Sequence, residues 1–245
     1  MAGVFQDARA ASSPRSGEDC GQPREWLHAQ IRPGLSPEKG RPVAAENSAD
    51  THKLTRLRAL QWLDKRSNFE RVPASLAGDG GFTLARMRRL LRGLGNPERQ
   101  FPAVHLAGTK GKGSAAAMLT AILRSAGYRV GCYLSPHVDR LEERITVSGR
   151  KISTADLLAA FRLVIPVVEK LDRQADRRKD RGPTWFEVLT AVAFSHFARQ
   201  QVDLAVIETG LGGRLDATNL CRPLVSVITC ISLDHMDVLG DSIAK

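Results

Sequence analysis

The first residues in this chain whose types and spacing suggest chemistry form the run Gly108-Thr109-Lys110-Gly111-Lys112-Gly113-Ser114. Ala103–Ala107 upstream reads as a short apolar strand, and the residues from about Gly113 to Ser125 read as a helix. Glycines at a strand-to-helix turn let backbone N–H groups converge on phosphate oxygens, and the helix N-terminus adds partial positive charge. Lys112 is placed to reach the β- and γ-phosphates of a nucleotide. The run departs from the common GxxxxGK[ST] pattern, because Leu106 stands at the first glycine and the hydroxyl arrives one residue late, at Ser114 after Gly113. A glycine-rich turn that binds nothing is the alternative. Strand, glycines, lysine and helix in one place favour phosphate.

Three further positions follow apolar strands. Glu208 ends Asp203–Glu208, and ligands of parallel sheets bind at the carboxyl ends of strands. A carboxylate there can hold Mg²⁺ against phosphates or be satisfied by local backbone N–H groups. Asp234 and His235 follow the strand Leu224–Thr229, where a metal role and a structural role stand level. Ser135, before Pro136, reads from its residues alone as a turn.

The elements that must position these groups can be read from periodicity. Leu54, Leu57, Leu60 and Leu63 predict one amphipathic helix, and Leu84, Met87, Leu90, Leu91 and Leu94 a second that stops at Gly95-Asn96-Pro97. Arg129–Leu134 predicts a strand. Ser153 and Asp156 predict a capped helix start running to about Leu171, and another helix spans Phe186–Arg199. Continuous apolar strands alternating with helices predict an α/β fold: a P-loop-containing, mostly parallel sheet with helices on both faces. Residues 1–50 read as a disordered extension, rich in Ala, Ser, Pro, Gly and charge, and residues 51–245 as one domain.

The net charge is +10. Residues 1–50 hold six Lys/Arg against seven Asp/Glu, so the excess sits in the body, which suits polyanionic ligands. No basic motif interleaved with aromatics points to nucleic acid. The run Arg173–Arg181 reads as a solvated loop or helix end. No stretch has the length of a membrane span. The N-terminal segment has neither a basic start before an apolar core nor, with Asp7, Glu18 and Asp19, the acid-poor character of a transit peptide, so the cytoplasm is expected. Cys20, Cys132, Cys221 and Cys230 form no CxxC pair, and the last three are expected to be buried free thiols.

Five ordered blocks, the phosphate loop first among them, carry a resemblance. Gly108–Ser114 is similar to a GT[NK]GKG[ST] loop. Tyr133–Ser153 contains SPH, ERI and a later glycine. Thr184-Trp185-Phe186-Glu187 resembles a T-x-F-E element. Val206–Asn219 (VIETGLGGRLDATN) is close to E-V-G-L-G-G-R-L-D-A-T-N, and Leu233–Lys245 resembles LDH…LG.TI. Together, over roughly residues 53–245, the chain resembles the folylpolyglutamate synthase/dihydrofolate synthase branch of the Mur ligase superfamily. The resemblance implies the central-domain fold of those ligases, with ATP at Gly108, Thr109, Lys110, Gly111, Lys112, Gly113 and Ser114. It implies Mg²⁺ at Ser135, Glu208 and His235, and catalytic work for Lys112, Glu208 and His235. It places pterin contacts at Thr184, Trp185, Phe186 and Glu187 and at Leu215, Asp216 and Ala217. Trp185 has ordinary core packing as its alternative. The implied reaction activates a folate or dihydropteroate carboxylate with ATP as an acyl phosphate, which L-glutamate then attacks. The implied protein is a monomer.

The family's carbamylated lysine lies beyond the position of Lys245, and its C-terminal domain is not in the sequence. The chain is therefore expected to be truncated relative to the family and not to ligate glutamate alone. A non-catalytic nucleotide-binding remnant and another Mur-type amide ligase are the competing readings. Thr209 stands where the family commonly has Val, and Lys110 where it commonly has Asn.

Overall fold

The computed structural model describes residues 54–70 and 82–242, all within one compact unit. The expected extension at residues 1–50 lies outside the described residues. In chain order the elements are α1 (Arg56–Asp64), α2 (Leu84–Gly93), β1 (Ala103–Ala107), α3 (Lys112–Ser125), β2 (Val130–Tyr133), β3 (Ile145–Val147), β4 (Arg150–Lys151), α4 (Thr154–Arg178), α5 (Trp185–Arg199), β5 (Leu204–Glu208), β6 (Pro223–Ile228) and α6 (Met236–Leu239). Short 3₁₀ turns occupy Pro97–Arg99, Leu141–Arg144 and Ala217–Leu220.

The sheet runs β4-β3-β2-β5-β1-β6. Four neighbours, β2, β5, β1 and β6, are parallel, and β3 and β4 are antiparallel. The parallel core matches its apolar runs: β5 is buried at every residue, as a strand covered on both faces must be. Side chains alternate along β2, so its two faces meet different helices. Cys132 faces the α3 side, where Thr120 bonds its thiol. Gly131 and Tyr133 face α5. A Cβ on Gly131 would lie 2.9 Å from the Phe197 ring, so this glycine is what lets α5 approach the strand. Phe101, Phe194 and Phe197 continue that interface edge to face.

Three expectations change. The hairpin β3–β4 was not legible as strand. Its turn puts Ser148 and Gly149 at positive φ, 49° and 77°, the geometry of a tight two-residue hairpin whose twist matches its strands. Helix α4 continues past Leu171 to Arg178 because Ala175 is still buried, and the basic run is its solvated end, closed by Lys179 in the left-handed region. Cys132 and Cys221 are buried free thiols, with burial pushing their pKa values up to about 11 and about 12. Cys230 is exposed, because it follows β6, an edge strand with little packed against it.

Candidate functional site

The phosphate loop joins β1 to α3 at the carboxyl edge of the sheet. Gly111 caps α3 in the left-handed region, at φ 81°, with no side chain closing the helix end. The first N–H groups of α3 are therefore left to a ligand. Lys112 Nζ donates to Gly108 O at 2.8 Å, folding the lysine back over the loop. The strand leaving β6 braces this loop: Thr109 N–H donates to Cys230 O, Thr109 Oγ1 donates to Ser232 O and accepts from Ser232 N–H, and Thr229 Oγ1 donates to Lys110 O. Gly108 is required by space, since a Cβ there would lie 2.1 Å from Thr229 Oγ1.

Glu208 ends β5 beneath the start of α3, within 3.7 Å of where a Cβ of Gly113 would stand. Its Oε2 accepts the Ser135 N–H at 3.0 Å. Burial pushes its pKa up, and the Ser135 N–H, Lys112 and Arg144 pull it part of the way back. Lys112, Glu208 and Ser135 thus converge. His235 does not join them as a packed cluster: it caps α6 in an exposed position with φ 47°. Among the described residues no three His, Cys, Asp or Glu side chains form a ready metal cage. The oxygen-only pair of Glu208 and Ser135 beside a phosphate loop nevertheless suits a hard cation that keeps water and phosphate ligands.

A cluster that the sequence analysis gave no role supports the Ser135 turn. Arg144 is 1% exposed. It donates from Nε to His137 Nδ1 at 2.8 Å and from both terminal nitrogens to Glu70, at 2.7 and 2.6 Å. The run LEERI signalled it as a motif, but its partners lie 7 and 74 residues away in sequence and no local pattern names them.

The expected pterin residues divide. Thr184 and Glu187 form a capping box at the start of α5, and Glu187, buried, pairs with Arg86 of α2. Trp185 is 2% exposed, its Nε1 donates to Asp64, and the Arg144 guanidinium lies 4.9 Å over its ring, so it packs in the core. Phe186 is half-buried and lies over Gly210, where a Cβ would come within 2.7 Å of its ring. Asp216 organises the following loop, accepting N–H groups from Gly210, Leu211 and Thr218. Leu215 is exposed and Ala217 buried.

A glycine-rich loop between β1 and α3, with a buried acid at the end of a neighbouring parallel strand, defines a P-loop nucleotide-binding α/β domain of the Mur ligase type. No family model matches the chain. Curated relatives do. It is 42% identical over 188 residues to a dihydrofolate synthase/folylpolyglutamate synthase of Bacillus subtilis, covering 76% of this chain and 41% of that protein. It is 36% identical over 241 residues to the mitochondrial folylpolyglutamate synthase of Bos taurus, covering 96% of this chain and 38% of that one. The latter match extends into residues 1–50, so the likeness is not confined to the region after Lys53. Among solved structures, Mycobacterium tuberculosis folylpolyglutamate synthase complexed with ADP and AMPPCP superposes with a TM-score of 0.67 at 40% identity, over 77% of this chain and 39% of that chain. An FPGS–AMPPCP–folate complex gives 0.67 at 36%, over 78% and 44%. The chain belongs to the folylpolyglutamate synthase/dihydrofolate synthase family and corresponds to its N-terminal part. It spans about two fifths of the length of these relatives. No helix among the described residues is long and apolar enough to cross a membrane.

Proposed function

We propose that this chain supplies the nucleotide-holding part of an ATP-dependent ligase that joins L-glutamate to a carboxylate of a folate or dihydropteroate. The observation that carries the reading is the convergence of Lys112, the open N-terminus of α3, Glu208 and Ser135 at one sheet edge. The N–H groups at the start of α3 hold phosphate oxygens, and Lys112 leaves Gly108 O to meet the β- and γ-phosphates. Ser135 and Glu208 would hold Mg²⁺, which neutralises phosphate charge when bound; His235, exposed at the cap of α6, would have to move to join them.

The substrate carboxylate attacks the γ-phosphorus, ADP leaves, and the glutamate amine then displaces phosphate from the acyl phosphate. The protein's contribution is alignment of two anions and fixed positive charge, with no covalent intermediate on the chain. Phe186, over Gly210, supplies apolar surface on which a pterin would rest. The related structure is an FPGS–AMPPCP–folate complex, which supports this substrate class.

Calorimetric titration of the chain with AMPPCP and Mg²⁺ tests the reading. Lys112→Ala should weaken binding at least tenfold with an unchanged melting midpoint. Equal affinity in wild type and variant would remove the lysine from the site.

A further inference from the structure

A second charged cleft, of about 530 Å³, opens at the opposite edge of the sheet from the phosphate loop. Arg124 comes from the end of α3, Arg129 from the entrance of β2, Arg150 and Lys151 from β4, and His196 from the end of α5. β2 places the cleft: its first residue follows Arg129 and its last leads to Ser135, so the whole strand separates the two sites. Asp156 is the one acid in the lining, and its carboxylate is held by the Ser153 hydroxyl at the cap of α4.

Four cations against one acid leave charge unmatched. Lys151 is engaged by Glu143, and Arg129 by Gln200. Arg124 and Arg150 have no carboxylate partner among the described residues. The backbone makes room for Arg124 against the β3–β4 turn that leads into Arg150. A Cβ on Gly149 would stand 2.1 Å from Arg124 Nη1 and 2.6 Å from Cζ, so the guanidinium occupies the space a side chain would fill. That glycine immediately precedes Arg150 and sits at φ 77°. Four cations lining one cleft with a single acid repel one another, and an anion bound among them reverses the sign of that interaction.

We propose that this cleft is a binding site for a compact polyphosphate anion, separate from the nucleotide loop. A tetrahedral phosphate accepts the forked donors of both arginines while carrying more charge per volume than a carboxylate. No phenyl, tyrosyl or indole ring lines the cleft, so it lacks the stacking surface that a base or single-stranded nucleic acid uses. The excess positive charge of the chain, of which the nucleotide loop uses little, has a destination here.

Inorganic triphosphate, titrated calorimetrically at low salt, tests the site in three chains. Wild type should show two classes of site. The double variant Arg124→Ala, Arg150→Ala should lose one class by at least tenfold, and Lys112→Ala should lose the other. Both arginines are exposed, so an unchanged melting midpoint is expected to show that the double variant is folded. Loss of all binding in Lys112→Ala, or wild-type titration of the double arginine variant, would overturn the proposal. Citrate binding in the arginine-dependent class as tightly as triphosphate would overturn the phosphate assignment. If the nucleotide reading alone is wrong, the lysine-dependent class disappears while the arginine-dependent class remains.

Discussion

At the scale of single residues, Gly108 shows how little freedom the phosphate loop has. Its φ of 137° lies where side chains are strained, and Thr229 Oγ1 already fills the position of a Cβ. Gly108→Ala is expected to cost roughly 2–4 kcal/mol, combining strain and overpacking, and to abolish AMPPCP binding. Adding Thr229→Ala should recover part of the melting midpoint, because the hydroxyl clash goes, and none of the strain in φ; full recovery would show that the contact alone matters. The loop was legible in the sequence because glycines, lysine and flanking elements are all local. The same locality hid the work of Thr184 and Glu187. Their spacing is also that of a capping box, and the structure uses it so, with Glu187 held against Arg86 as well. Trp185 has no local signature at all, because its burial is decided by Asp64 and Arg144, distant in sequence.

At the scale of elements, the turn Leu141–Arg144 ties α1 and the Ser135 segment to the sheet. Arg144→Ala removes the charge-assisted hydrogen bonds to Glu70 and His137 and leaves the Glu70 carboxylate to solvent, a loss of about 1.5–3 kcal/mol. It should raise amide hydrogen exchange through residues 135–138 before the rest of the sheet. Arg144→Lys restores charge but not the fork, so exchange at Ser135 should stay fast; protection equal to wild type would mean that charge alone holds the turn. The neighbouring Glu142 accepts from Arg56 at 2.6 and 3.0 Å, and that bond, foremost, holds its carboxyl well below the usual range, down to about 2. A depressed carboxylate stabilises the fold above its unfolded pKa and loses that contribution as pH falls toward the folded value. Urea midpoints of wild type should therefore fall between about pH 4.5 and pH 2 more steeply than those of Arg56→Ala. Parallel slopes would detach α1 from this pair. The parallel strands and their helices were readable from apolar runs. The β3–β4 hairpin was not, because two- and three-residue strands carry too few side chains to show alternation, and their pairing is fixed by the Ser148-Gly149 turn.

At the scale of the whole molecule, the two ends of the sheet differ. The β4 end is a two-residue strand bearing Arg150 and Lys151, a short, charged edge of the kind that discourages pairing. The β6 end is six residues long, and Leu224, Val225 and Ile228 are 52%, 54% and 69% exposed. Met118 and Ile122 on α3 add further exposed apolar surface. An unpaired row of backbone donors and acceptors flanked by branched apolar side chains is a template for another strand. Against this stands the net charge of +10, which keeps copies apart at low salt and is screened within about 8 Å at physiological ionic strength. Self-association should therefore increase with added salt, the reverse of what an ionic interface would do. Sedimentation velocity of the purified chain should show association growing between about 0.02 and 0.3 M salt. Val225→Lys with Ile228→Lys, both at exposed positions, should hold the chain monomeric at concentrations roughly tenfold higher without lowering the melting midpoint. A wild-type chain that stays monomeric across that range, or a double variant that associates equally, would show that β6 is protected by something other than charge.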